Sequence, residues 1–182
     1  LDGSPPPYFS EDYALMTMHR PSNVDAREIL GPIVDVLINK ISSQLSLFWP
    51  VHPRSVKQLK KFGLWSQLSA AQNIYLLQPV SYKEMLNLNL NARIMLTDSG
   101  GLQEECCVLG TPCLTLRYNT ERPITLKENG GTSVLVGNDV QKIEAEFDQI
   151  MSNYANPSSF RPPLWDGNTA QRCLRSIINF HS

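Results

Sequence analysis

Thr97-Asp98-Ser99-Gly100-Gly101-Leu102-Gln103-Glu104-Glu105 opens a stretch that closes with Thr120-Glu121-Arg122-Pro123. The apolar run Arg93 to Thr97 predicts a strand, and a helix is expected from the glycine pair to Leu109, with Gly110 as its C-cap. A strand, a glycine turn and a helix N-terminus together hold anions well. The free N–H groups and the helix dipole face the ligand, and Gly100 and Gly101 carry no Cβ to block its approach. Ser99 suits a phosphate ligand better than a nucleophile, because no base follows it in a Ser-His-Asp order. Asp98 caps or braces the turn. Glu104 and Glu105 lie one turn into the helix, where a carboxylate can accept hydrogen bonds from ribose hydroxyls. The next strand, Cys113 to Leu116, leads to Arg122, a candidate phosphate clamp, with Arg117 as an alternative. Glu121 is expected to orient Arg122 or to cap a helix starting at Pro123.

Outward from this stretch, short apolar strands alternate with helices. Strands are expected at Tyr13–Met18, Leu45–Val51, Ile74–Leu77 and Ser133–Val136. Helices are expected from Asp25 to Ser43, from Ser55, from Tyr82 to Leu90 and from Asp139 to Met151. Asp25 is taken as an N-cap, with Ile29, Ile33, Val36, Leu37 and Ile41 at helical spacing behind it. The pattern predicts an α/β fold, a Rossmann-like parallel sheet with helices on both faces. Ligands of such sheets bind beyond the carboxyl ends of the strands, where every motif here falls. Gly130-Gly131-Thr132 is a second tight turn at the cleft or a loop.

The 182 residues suit one domain, taken as Tyr13 to Ser182. Leu1 to Asp12, with Pro5, Pro6 and Pro7, reads as a linker from a further domain upstream. A net charge of -1 gives no electrostatic reason to expect nucleic acid or an acidic membrane surface as partner. No apolar run is long enough to span a bilayer, and no signal-peptide pattern is visible. The four cysteines include no C-x-x-C pair and read as buried small hydrophobes in a reducing, cytoplasmic compartment, with no metal site.

Histidine is scarce, so position matters. His19 and Arg20 end the first strand, and His52 ends the second. An imidazole at that edge can transfer protons near neutral pH, and a guanidinium there can pair with phosphate. For His52, flanked by Pro50 and Pro53, a structural role and a ligand contact stand side by side. His181 lies beside the C-terminus and reads as solvated.

The stretch from Thr97 to Pro123 resembles the non-hydrolysing UDP-N-acetylglucosamine 2-epimerases. So do Thr17-Met18-His19-Arg20-Pro21-Ser22-Asn23-Val24-Asp25, Trp49-Pro50-Val51-His52-Pro53-Arg54 and Pro162-Pro163-Leu164-Trp165-Asp166-Gly167. The resemblance covers Tyr13 to Phe180 and the C-terminal half of that family's protein, one of two Rossmann-like domains in a glycosyltransferase-B type fold. It implies that His19 is a catalytic residue near the substrate diphosphate, and that His52 faces the cleft near a regulatory site in some members. It implies that Pro79 and Val80 contact uracil, that Met85 covers the ring, and that Glu105 is the ribose carboxylate. Ser22 departs from the motif, where a Glu is usual.

The implied reaction inverts C2 of UDP-N-acetylglucosamine to give UDP-N-acetylmannosamine, a step toward cell-surface polysaccharides. UDP leaves to give a 2-acetamidoglucal and adds back after a proton reaches the opposite face. No cofactor or metal is implied, and the carboxylates acting at the sugar belong to the N-terminal half. That half is an expected partner, and the full-length protein is an expected homodimer, with this chain alone monomeric. Alternatives are a UDP-sugar glycosyltransferase half, a stand-alone nucleotide-sugar-binding module, and a hydrolysing epimerase.

Overall fold

The computed structural model describes residues 12–152 and 160–180. Most of the expected linker and His181 lie outside the described residues. The strands are β1 (Tyr13–Thr17), β2 (Ser46–Pro50), β3 (Ile74–Leu77), β4 (Ile94–Thr97), β5 (Cys113–Thr115) and β6 (Ser133–Leu135). They form one six-stranded parallel sheet in the order β3-β2-β1-β4-β5-β6. Chain direction across the sheet reverses between β1 and β4, the switch point at which open α/β sheets form their ligand crevice.

Both faces of the sheet are covered, as the near-continuous apolar strands require. Along β1, Ala14 and Met16 enter one core while Tyr13 and Leu15 enter the other. The first core is roofed by α2 (Arg27–Val36), α3 (Pro53–Lys61), α4 (Trp65–Ala70) and α7 (Val140–Ser152). The second holds Leu88 of α5 (Tyr82–Asn91) and Cys106 of α6 (Gly100–Leu109) against Tyr13, Leu15, Phe48 and Met95. Tyr13 keeps its hydroxyl satisfied there by donating to the Leu88 carbonyl at 2.7 Å.

Two helices differ from expectation. The segment expected as one helix from Asp25 to Ser43 is α2 followed by a π-helical turn at Leu37–Ile41, and a single turn α1 (Pro21–Val24) precedes it. Asp25 is the C-cap of α1, not an N-cap, and Ala26 opens α2. The Asp25 carboxylate accepts instead from Arg54 and from Gln58, the latter at 2.8 Å, so α3 has taken the oxygen that would have capped α2. The next helix starts at Pro53 and not Ser55. His52 is its N-cap, and its Nδ1 accepts the Arg54 N–H at 3.1 Å. Gly63, at φ +71°, ends that helix and frees α4.

Other boundaries follow the local chemistry. A reciprocal capping box between Ser81 and Glu84 starts α5. Gly110 at φ 84° closes α6 as expected. Asp166 accepts from Asn168 N at 2.9 Å and Arg172 Nη1 at 2.8 Å, which fixes the approach to α8 (Thr169–Phe180). Cys106, Cys107 and Cys113 are buried as expected, but Cys173 on α8 is exposed. That helix also leaves Leu174 and Ile177 more than half exposed, at 59% and 58%.

Gly130 and Gly131 make a turn between two 3-10 segments and β6, with Gly130 at φ 90°. A Cβ at position 131 would fall 2.0 Å from the Thr125 carbonyl oxygen, which is backbone and cannot swing aside. Gly131→Ala is therefore expected to lower stability by roughly 1–3 kcal/mol, the usual cost of overpacking. Urea denaturation followed by circular dichroism measures it, and an unchanged midpoint would contradict this account.

Candidate functional site

The ends of β1 and β4 are tied together at the switch point. Thr17 and Thr97 share a hydroxyl hydrogen bond of 2.8 Å, and Thr97 Oγ1 accepts the Ser99 N–H at 3.0 Å. Asp98 follows, fully buried. It does not cap its own turn. Its carboxylate reaches across to the loop after β1 and accepts the N–H of His19 at 3.0 Å and of Arg20 at 2.7 Å. It also accepts from Asn23 Nδ2 at 3.1 Å, and it lies 3.0 Å from Nδ1 of the His19 ring.

Burial works to raise the Asp98 carboxyl, but the hydrogen bonds from His19 and from the Arg20 and His19 backbone outweigh it and hold it below the usual range. His19 moves the other way. Its bond to Asp98 raises the imidazole above its ordinary value, against desolvation and the charges of Arg20 and Arg54. His52 is brought to the same place, its ring centroid 5.2 Å from that of His19. The structural reading of the sequence is the one seen, since His52 caps α3.

Next to this pair, Ser99 is the N-cap of α6, and its hydroxyl does not cap the helix. Glu121 approaches the same helix end. A Cβ at Gly100 would meet the Glu121 Oε1 at 2.8 Å, whereas one at Gly101 would come no closer than 4.0 Å to a side chain of the described residues, Ser99 Oγ. The helix N-terminus thus faces a carboxylate and open space, as its dipole favours. Arginines surround it. Arg117 Nη1 lies 2.6 Å and Arg20 Nη2 3.6 Å from the Glu121 carboxylate.

The Glu121 carboxylate does not orient Arg122, which reaches only the Glu121 carbonyl at 3.5 Å, and Pro123 begins only a short 3-10 turn. The partner of Arg122 is Glu104, with Nε 2.9 Å from Oε1. Glu104 is therefore engaged as an arginine anchor, which leaves Glu105 as the ribose candidate. Burial raises the Glu105 carboxyl, the nearby Asn89 amide lowers it, and the Glu104 charge raises it further. Its Oε2 is buried with no hydrogen-bond partner among the described residues. Glu105 borders an open groove of about 400 Å³ between α5 and α6 that also includes Tyr82, Leu86, Glu104 and Trp165. Val80 and Met85 pack at the rim of the second core, on the α5 side of the turn. A larger hollow of about 770 Å³ runs along β6 and α7 and contains none of these residues, so size does not mark the site.

Sequence reasoning missed Asp98 as the partner of His19, Asn23 as its brace and Trp165 at the groove. The signal for Asp98 was its place, directly after a buried strand and before the glycine turn.

A profile of the UDP-N-acetylglucosamine 2-epimerase family matches residues 5–178. The chain belongs to that family. It is 39% identical over 168 residues to the UDP-N-acetylglucosamine 2-epimerase of Methanocaldococcus jannaschii, covering 92% of this chain and 44% of the relative. A second relative, from Methanococcus maripaludis, is 41% identical, with 93% of this chain and 45% of the relative covered. The structure of the M. jannaschii UDP-GlcNAc 2-epimerase in complex with UDP-GlcNAc and UDP superimposes with a TM-score of 0.82 at 38% identity, over 93% of this chain and 46% of that one. The chain spans less than half the length of the epimerases it matches and corresponds to their C-terminal, Rossmann-like half.

Proposed function

We propose that this chain provides the UDP-binding half of an epimerase that interconverts UDP-N-acetylglucosamine and UDP-N-acetylmannosamine by eliminating UDP and adding it back. The supporting observation is that Arg20 and Arg117 meet on Glu121, whose carboxylate lies against Gly100 at the start of α6, while Arg122 pairs with Glu104 in the same helix, in a chain 38% identical to an epimerase solved with UDP-GlcNAc and UDP. Elimination builds negative charge on the departing diphosphate. Helix N–H groups, guanidinium groups and His19 aimed at that charge stabilise it without reorganising at the moment of bond cleavage. The Ser99 hydroxyl is a further ligand. Glu105 takes the ribose hydroxyls, and Val80 with Met85 borders the uracil. His52 faces the same cleft beside His19.

Chemistry at C2 belongs to the second half found in the longer relatives, which is the proposed partner. The full-length protein is proposed to be a homodimer formed mainly through that half. The buried thiols suit a reducing compartment, and the cytoplasm is the proposed location. Among the described residues no helix is long and apolar enough to cross a membrane.

Calorimetric titration tests the nucleotide assignment. UDP is expected to bind in preference to ADP, and Arg122→Ala to weaken UDP binding by ~1.5–3 kcal/mol, the range for a hydrogen bond to a charged group. Equal affinity for the two nucleotides would overturn the uracil assignment, and an unaffected Arg122→Ala would remove that residue from the site.

A further inference from the structure

We propose that Asp98 is the positioning residue of the cleft: its buried carboxylate fixes His19 in the Nδ1–H tautomer and favours the protonated ring, so that Nε2–H is presented to the departing diphosphate. The inference rests on the anion-site reading above. The geometry leaves little freedom. Asp98 Oδ1 lies 3.0 Å from His19 Nδ1, and the same carboxylate holds the His19 backbone N–H at 3.0 Å. Ring and backbone of one residue are thus anchored to one side chain, which is itself held by Arg20 N–H and Asn23 Nδ2. A carboxylate can only accept, so Nδ1 must carry a proton and Nε2 is the nitrogen left for a ligand.

The other groups facing His19 act against or beside this anchor. Arg20 and Arg54 disfavour a cationic ring. His52 lies beside it with the ring planes tilted by 37°, its own Nδ1 committed as an acceptor to Arg54 N–H. Asp25, the next carboxylate, is paired to Arg54. Asp98 therefore supplies the negative charge that outweighs two arginines. A second consequence concerns Arg20, whose Nε donates to the Asp98 carbonyl at 2.8 Å. One residue thus orients both side chains that end β1. Neither contact is visible in the sequence, where residues 19 and 98 are far apart.

Two-dimensional NMR of the ¹⁵N-labelled chain reads the His19 ring directly. In the wild type, above the His19 pKa, the long-range ¹H–¹⁵N pattern is expected to show the Nδ1–H tautomer. The Nε2–H tautomer there would overturn the proposal without any variant. In Asp98→Asn the His19 pKa is expected to fall by about one unit or more, because the ring loses its anion while both arginines remain. Asn23→Ala removes a bond to the same carboxylate and the 2.9 Å bond to the Leu116 carbonyl. It is expected to lower Tm while leaving the His19 pKa in place, which separates positioning from a merely structural role. A folded Asp98→Asn protein with the wild-type His19 pKa would overturn the proposal, and if that variant does not fold the wild-type tautomer still decides. UDP titration of the wild type in parallel keeps the two readings apart, since absence of UDP binding with the expected tautomer refutes the nucleotide site and not the anchor.

Discussion

Asp98→Ala is expected to lower unfolding free energy by about 3–5 kcal/mol, the cost of removing one partner from a buried charged cluster. The substitution strands the N–H groups of His19 and Arg20 and one N–H of the Asn23 amide, whose other bond goes to the Leu116 carbonyl. Each orphaned donor costs on the order of 1–3 kcal/mol when it cannot reach water. Urea unfolding measures the loss, and a change below about 1 kcal/mol would mean that solvent replaces the carboxylate freely.

The wild type carries a matching pH signature. The Asp98 pKa is depressed, so its contribution is present above the ordinary aspartate range and is lost as pH falls through the lower, folded value. The His19 pKa is raised, so its contribution is complete below about 6.5 and is lost as pH rises through the higher, folded value. Stability from the pair is therefore fullest in the mildly acidic window between the two ordinary values. Asp98→Ala should flatten both limbs together.

The second large effect is an absence of turnover. Incubated with UDP-N-acetylglucosamine in deuterated water, the 182-residue chain is expected to incorporate no deuterium at C2 above a no-protein blank. Its relatives are more than twice as long as the region it matches, and by the proposed division of labour the proton-transferring carboxylates lie in the remainder. His19 is committed through Nδ1 to Asp98 and by the same proposal serves the diphosphate, so no base is expected at the ~2.6–3.2 Å from C2 that proton transfer needs. Joining the chain to the N-terminal half of such a relative should restore exchange, and His19→Ala in that joined protein should then cost mainly kcat. Exchange by the chain alone would place the catalytic groups within it and refute the division.

The sequence by itself determined the elements and the chemistry at their ends. Apolar runs buried on both faces mark parallel strands, and the Ser99-Gly100-Gly101 turn and Gly110 mark the start and stop of α6, because backbone conformation and burial pattern are local properties. His19, Arg20, His52, Ser99 and Arg122 were all legible as strand-end or turn residues for the same reason. Which charge meets which was not legible. Glu104 took the Arg122 partnership expected of Glu121, Glu121 went to Arg117 and Arg20, Asp25 went to α3 instead of capping α2, and Asp98 crossed from β4 to hold His19. The Asp98–His19 pairing depends on β1 lying next to β4, a neighbourhood fixed by how the whole sheet closes its two cores. A carboxylate in that crevice goes to whichever buried donors the fold leaves unsatisfied, and only the tertiary structure decides which those are.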